Sequence, residues 1–104
     1  MATILLAGVD PVFREKLDGL LAVHHLITTD NVDKPDLILA DIGRVDPVEV
    51  CDNYPDIPIL GFTGHADAAR TRTAFTAGFD RVVERSALLE QVDELISELT
   101  APLQ

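Results

Sequence analysis

Apolar residues fall along this chain in two alternating patterns: short unbroken runs, and longer stretches at helical spacing. The central run is Leu37-Ile38-Leu39-Ala40, opened by Pro35-Asp36 and closed by Asp41-Ile42-Gly43. A continuous run this short, bounded by turn residues, predicts a strand buried on both faces. Such strands belong to parallel sheets covered by helices on each side. Thr3 to Ala7, ending in Gly8, has the same form; His25 to Thr28, Ile57 to Phe62 and Arg81 to Val83 complete five predicted strands.

The stretches between them carry helix signals. Asp10-Pro11 supplies an N-cap followed by Pro at the first helical position. Val12/Phe13, Leu17 and Leu20/Leu21 then form the expected inward face, with Arg14, Glu15, Lys16 and Asp18 opposite. Gly19 costs this helix up to ~1 kcal/mol relative to Ala, so packing must hold it. Asp46-Pro47 repeats the device for a short helix to about Tyr54, with Val48, Cys51 and Tyr54 expected inward and Pro55 stopping it. A helix over Ala66 to Ala77 is closed by Gly78. Ser86 is the expected cap of the last helix, whose stripe is Leu88/Leu89, Val92, Leu95/Ile96 and Leu99.

Strand and helix alternate throughout, which predicts a five-stranded, doubly wound α/β sandwich. One connection departs from the rule. Only Thr29 to Pro35 separate the second strand from the third, whereas a parallel crossover takes a dozen residues or more, usually a helix. Seven extended residues reach about 23 Å. Returning along the strand needs about 13 Å and skipping a strand about 10 Å sideways. The link suffices without a proper helix, so the second crossover helix is predicted missing or reduced to a turn.

Composition narrows the function classes. The 104 residues fit one domain, 1–104, and 47% hydrophobic content excludes a disordered chain. A formal net charge of −10, from 18 acidic and 8 basic residues, argues against a nucleic-acid or anionic-membrane surface, the more so because the arginines are scattered along the sequence. The lone Cys51 excludes an internal disulfide and a Cys-based zinc site. No apolar run approaches the ~20 residues of a membrane span, and no charged n-region precedes Ile4; a cytoplasmic domain is expected. The chain stops soon after the last predicted helix, so if the protein is no longer than this it signals by binding alone.

In order along the chain, several stretches resemble the receiver (CheY-like) domains of two-component response regulators. Pro35-Asp36-Leu37-Ile38-Leu39-Ala40-Asp41 resembles the strand ending in the phosphoaccepting Asp, and Ile57-Pro58-Ile59-Leu60-Gly61-Phe62-Thr63-Gly64-His65 the strand ending in the switch Thr or Ser. Ala77-Gly78-Phe79-Asp80 resembles the turn before the fifth strand; Ile4-Leu5-Leu6 with Asp10-Pro11-Val12-Phe13-Arg14 resembles the first strand and helix. The resemblance implies a flavodoxin-like fold with strand order 2-1-3-4-5. It makes Asp41 the candidate phosphoacceptor, and Thr63 and Arg85 the candidate switch and phosphate-contacting residues. It also implies an acidic pair after the first strand that holds Mg²⁺, and a Lys after the fifth. Here Gly8 and Val9 stand at the pair's positions, with Asp10 one place later, and Arg85-Ser86 replaces Lys-Pro. Val82 stands where an aromatic is usual, and the loop after the phosphoacceptor is contracted to Ile42-Gly43-Arg44-Val45-Asp46.

Each candidate also has a purely structural reading. Asp10 is an N-cap; Asp41 orders its own loop and pairs with Arg85 or Arg44; Thr63 caps a strand end; His24, His25 and His65 form no ligand-spaced cluster. Three functional readings follow, none enzymatic. The first is a pseudo-receiver, a non-catalytic interaction module for a signalling protein, a histidine kinase or a second copy of itself, with no cofactor. Its expected surface is the helix before the fifth strand, that strand and the last helix; sheet surface left thinly covered by the reduced crossover is a second. The second reading is an active receiver phosphorylated on Asp41, with Mg²⁺ and with Asp10 and Arg85 as helpers. The third is a small flavodoxin-like ligand-binding domain.

Overall fold

A computed structural model describes residues 3–22, 24–27, 35–64 and 68–100. The elements in order are β1 (Thr3–Ala7), α1 (Pro11–Leu20), β2 (His25–Ile27), β3 (Leu37–Asp41), α2 (Pro47–Asn53), β4 (Ile59–Thr63), α3 (Ala68–Ala77), β5 (Arg81–Glu84) and α4 (Arg85–Thr100). The strands form one parallel sheet in the order β2-β1-β3-β4-β5. This is the flavodoxin-like architecture, with its topological switch point between β1 and β3. The Thr29–Pro35 link, short of Pro35 itself, lies outside the described residues, as do Thr28, His65 and Ala66. Among the described residues there are four helices, and none is long and apolar enough to cross a membrane.

β3 is the centre of the sheet and is buried along its whole length. Its alternate side chains feed two cores. Leu37 and Leu39 join Ile4, Leu6, Leu60 and Phe62 beneath α1 and α4; Ile38 and Ala40 join Leu5 and Ile59 beneath α2 and α3. Two Asp side chains fix the register at the other end of the sheet. The Thr3 N–H donates to Oδ2 of Asp36 (2.8 Å) and the Asp36 N–H to the Thr3 carbonyl (2.8 Å). In the same way the Ile59 N–H donates to Oδ2 of Asp80 (2.8 Å) and the Asp80 N–H to the Ile59 carbonyl (3.0 Å). Gly61 leaves room for the neighbouring core, since a Cβ there would lie 2.7 Å from the Phe79 ring.

Helix entry follows the capping signals. The Phe13 N–H donates to Oδ1 of Asp10 (2.9 Å), and the Val48 N–H to Oδ1 of Asp46 (3.0 Å). After α3, the Phe79 N–H reaches the Ala74 carbonyl and the Gly78 N–H the Phe75 carbonyl, with Gly78 at φ +124°. That is a Schellman-type ending, which favours glycine at this place.

Several sequence expectations need correction. Phe13, Leu17 and Leu21 form the buried stripe of α1 at intervals of four, so Val12 and Leu20, about 100° away around the axis, face out at 68% and 45% exposure. In α2 the inward set is Pro47 and Val50 with Cys51 and Tyr54 against the core, and Val48 is exposed. β4 is displaced toward its carboxyl end, starting at Ile59 because Pro58 has no N–H to give a ladder. β5 runs directly into α4, so Ser86 lies inside the first turn instead of capping it. The expected apolar stripe of α4 holds through an irregular residue, Gln91 (φ −125°, ψ 18°).

Candidate functional site

The carboxyl ends of β1, β3, β4 and β5 open into one cleft of about 590 Å³. In an open α/β sheet this is where ligands gather. Asp10, Asp41, Thr63 and Arg85, the residues singled out from sequence, all line it, together with Arg44, Arg70, Gly43 and Gly64.

Asp41 is the last residue of β3 and only 4% exposed. Its Oδ1 accepts from the Gly43 N–H (2.9 Å), and the Asp41 carbonyl accepts from the Arg44 and Val45 N–H groups (3.0 and 3.1 Å). The contracted loop is therefore wound tightly around its own carboxylate. The other oxygen, Oδ2, lies 3.6 Å from an Nη of Arg85. Both structural readings of Asp41 hold, and of the two arginines offered as partners the ion pair is with Arg85.

Arg85 enters from the start of α4 and crosses the end of β4. Its guanidinium lies over the Phe13 ring, 4.9 Å from the centroid, and 5.8 Å from that of Phe62; the two rings are 4.9 Å apart. It also passes over Gly64, where an added Cβ would stand 3.5 Å from its Nη. Cation–π attraction thus orients the guanidinium without using its N–H donors. Its Nε is buried and has no hydrogen-bond partner. Thr63, 7% exposed, closes the floor beside Asp41.

The end of β1 differs. Gly8 has φ +69°, and a Cβ there would stand 2.6 Å from Cγ1 of Val45 and 3.3 Å from Cβ of Arg44. The contracted loop after β3 fills the space where a side chain at position 8 would go. Val9 packs against the core beneath α1 and α4. Asp10 is left as the second carboxylate of the cleft, and one of its oxygens is committed to the α1 cap. The Phe13 N–H holds its carboxyl below the ordinary value; burial opposes this, and Arg85, the Val12 N–H and Arg44 add to it.

Mg²⁺ takes near-octahedral oxygen coordination, commonly through carboxylates. The donors here do not fit it: one carboxylate caps a helix, the other faces a guanidinium, and among the described residues no group of three His, Cys, Asp or Glu could hold a metal ion. Cys51 lies elsewhere, and burial, then Asp52 and Asp80, pushes its thiol up, away from the reactive thiolate.

Three of the six arginines, scattered in sequence, are gathered at the cleft by the fold. Arg44 follows β3, Arg70 arrives on α3 with its Nη1 donating to the Ile42 carbonyl (3.1 Å), and Arg85 starts α4. Arg44 had a signal in its place right after the strand. Arg70 had none, since only the packing of α3 brings it to the loop after β3.

The class that this fold defines is the response-regulator receiver architecture. The chain is similar to the phosphorylated cyanobacterial phytochrome response regulator RcpA, with 14% identity over 99% of this chain and 96% of that one and a TM-score of 0.81. It is similar to the Mn²⁺-bound form of response regulator Rcp1, with 15% identity over 100% and 98% of the chains and a TM-score of 0.77. A signal receiver domain from Clostridium thermocellum matches at 15% identity over 97% and 98%, with a TM-score of 0.79. No family model and no curated protein matches the sequence. At these identities the likeness establishes the receiver fold.

Proposed function

We propose that the chain is a receiver-type module of two-component signalling that acts through protein–protein contact, with its strand-end carboxylate held by an arginine in place of a metal-dependent phosphorylation cycle. A fold alone does not decide function, so the reading rests on the site. The observation that carries it is the filled space at Gly8: the loop after β3 occupies the place of a first metal-binding carboxylate. With Asp10 serving as a cap, Asp41 faces Arg85, which offsets its charge. The partner is a histidine kinase or another signalling protein, or a second copy of the chain. The surface is α3, β5 and α4, where Phe75 is 49% exposed.

A second reading, an active receiver phosphorylated on Asp41, is favoured by Thr63 and Arg85 lining the same cleft as Asp41. Intact-mass spectrometry after incubation with acetyl phosphate or phosphoramidate and Mg²⁺ separates the two. An unmodified protein is expected. An adduct of about 80 Da, one phosphoryl group, that disappears in Asp41→Asn overturns the first reading in favour of the second.

A further inference from the structure

The two faces of the sheet are not equally covered. α1 and α4 lie on one face, α2 and α3 on the other. α2 follows β3 and packs on α3, so beyond α2, over β1 and β2, no helix stands on that face among the described residues. Residues 28–36, nine in all, separate Ile27 from Leu37, fewer than the dozen or more of a helical crossover. In that place a groove of about 430 Å³ runs along β1 from Leu5 to Gly8, walled by α2.

The groove combines an apolar floor with an acidic wall. Leu5 and Val50 are buried in the floor, and Ala7, Val45 and Tyr54 stop at half-burial around them. The wall is the flank of α2 that carries Asp46, Glu49 and Asn53, all exposed. Their spacing, i, i+3 and i+7, sets them in one line along the helix. Arg44 stands at the end shared with the cleft, so the charges along the wall itself are both negative. The five residues of β1 span about 17 Å, the length of about eleven helical residues. In a sheet wound on both faces this position belongs to a helix. The acidic wall and the net charge of −10 select a cationic one. A second copy fits less well: two chains of net charge −10 repel each other, and each described helix is already backed by its own sheet.

We propose that this groove docks an amphipathic helix of a partner protein, which completes the helix layer over β1 and β2 from outside the chain. Apolar anchors at i, i+3, i+4 and i+7 of that helix cover Ala7, Val45 and Tyr54. Lys or Arg residues beside them face Asp46 and Glu49. The groove is separate from Asp41 and from the surface of α3, β5 and α4, so the inference stands or falls independently of the reading given to those.

The probe is a helical peptide of about fifteen residues with Leu at i, i+3, i+4 and i+7 and Lys elsewhere, compared with a twin in which Glu replaces Lys. Fluorescence anisotropy at about 0.15 M salt, where exposed charges more than about 8 Å apart are largely screened, measures binding. Amide shifts of the ¹⁵N-labelled chain locate it. Saturable binding of the Lys peptide is expected, with shifts concentrated at Ala7, Gly8, Val45, Glu49 and Asn53. Glu49→Lys is expected to weaken it about tenfold by setting like charges against each other. Glu94→Lys, the same change of charge on α4 at the opposite face, is expected to weaken it about twofold at most. Both residues are exposed, so both variants are expected to fold. Absence of saturable binding would mean that the groove is closed, by the chain's own link or otherwise, and would overturn the proposal. Equal binding of the Glu twin, equal losses in the two variants, or shifts confined to α3, β5 and α4 would overturn it too. Sedimentation equilibrium covers the remaining occupant: a dimer that Glu49→Lys dissociates would put a second copy in the groove and exclude a partner helix.

Discussion

Two aspartates stand at the ends of adjacent strands and are used in opposite ways. Asp10, two residues beyond Gly8 at the end of β1, spends an oxygen on the nearest helix: its partner is the Phe13 N–H, three residues away. Asp41, at the end of β3, has one local partner, the Gly43 N–H, and one distant one, Arg85, forty-four residues on. The first carboxylate is fixed by its own turn, and the second ties the centre of the sheet to the last helix. On the reading proposed above, the difference accounts for a receiver-like strand end without a metal-binding carboxylate pair. The loop after β3 stands against Gly8, where an added Cβ would lie 2.6 Å from Val45, and Arg85 lies 3.6 Å from the Asp41 carboxylate.

The largest expected effect tests that closure. Gly8→Asp puts a carboxylate where the metal-binding pair would begin, but its Cβ meets Val45 at 2.6 Å on a backbone with φ +69°. Overpacking and strain of this kind cost about 1–3 kcal/mol, which for a domain of this size lowers Tm by on the order of 10 °C. Thermal unfolding followed by circular dichroism measures it. A variant that melts like the parent and gains stability on adding Mg²⁺ would mean that the end of β1 remains open to a metal, and the contrast between the two strand ends would collapse.

Much of this arrangement was legible in the residues, and the illegible part has a physical cause. Both Asp-Pro pairs gave helix starts because capping is local, depending on a carboxylate and an N–H a few residues apart. Strand identity and the centrality of Leu37–Ala40 followed from continuous apolar runs. The resemblance supplied the strand order, and the sheet has it. Asp41, Thr63 and Arg85 were picked out from positions and resemblance and do share a cleft. The inward faces of short helices were less reliable: Val48 and Val50 are both apolar in a seven-residue helix, and only the neighbouring helix decides which is buried. The cationic cleft was not legible. Arg70 and Arg44 lie twenty-six residues apart in a strongly acidic chain, and nothing in the sequence says that α3 delivers one to the loop carrying the other.

A smaller effect sharpens the role of Arg85. Replacing it with Met preserves the apolar contact on Phe13 and Phe62 but leaves the buried Asp41 carboxylate without its cation. Loss of a partner to a buried polar group costs about 1–3 kcal/mol, and the lower end applies, because Arg85 is 40% exposed and 3.6 Å away. In an Asp41→Asn background the charge is gone and the Gly43 N–H still has an oxygen to meet, so Arg85→Met is expected to cost less. A double-mutant cycle from urea unfolding should therefore give a coupling of about 0.5–1 kcal/mol. Additivity of the two substitutions would show that the pair is a proximity without consequence, leaving Asp41 as locally fixed as Asp10.

The smallest effect concerns Asp10 and is read by pH. Its carboxyl is held below the ordinary value of 3.8, chiefly by the Phe13 N–H, against an opposing contribution from burial. A carboxylate whose pKa is lower in the folded than in the unfolded chain binds its proton more readily when unfolded. Its contribution to stability is therefore fully present above 3.8 and is lost as pH falls through the lower folded value. Asp10→Asn keeps an oxygen able to cap α1 but cannot ionise, so it lacks that acid-sensitive part. The gap in urea midpoint between the parent and Asp10→Asn should be widest near neutrality and should narrow as the buffer is taken below 3.8. Taking the difference cancels the other carboxylates, which titrate in both proteins. A gap that stays constant across that range would mean that the charge on Asp10 does nothing for the cap. The carboxylate would then be available for other chemistry in the cleft, and the distinction between the two aspartates would have to be drawn elsewhere.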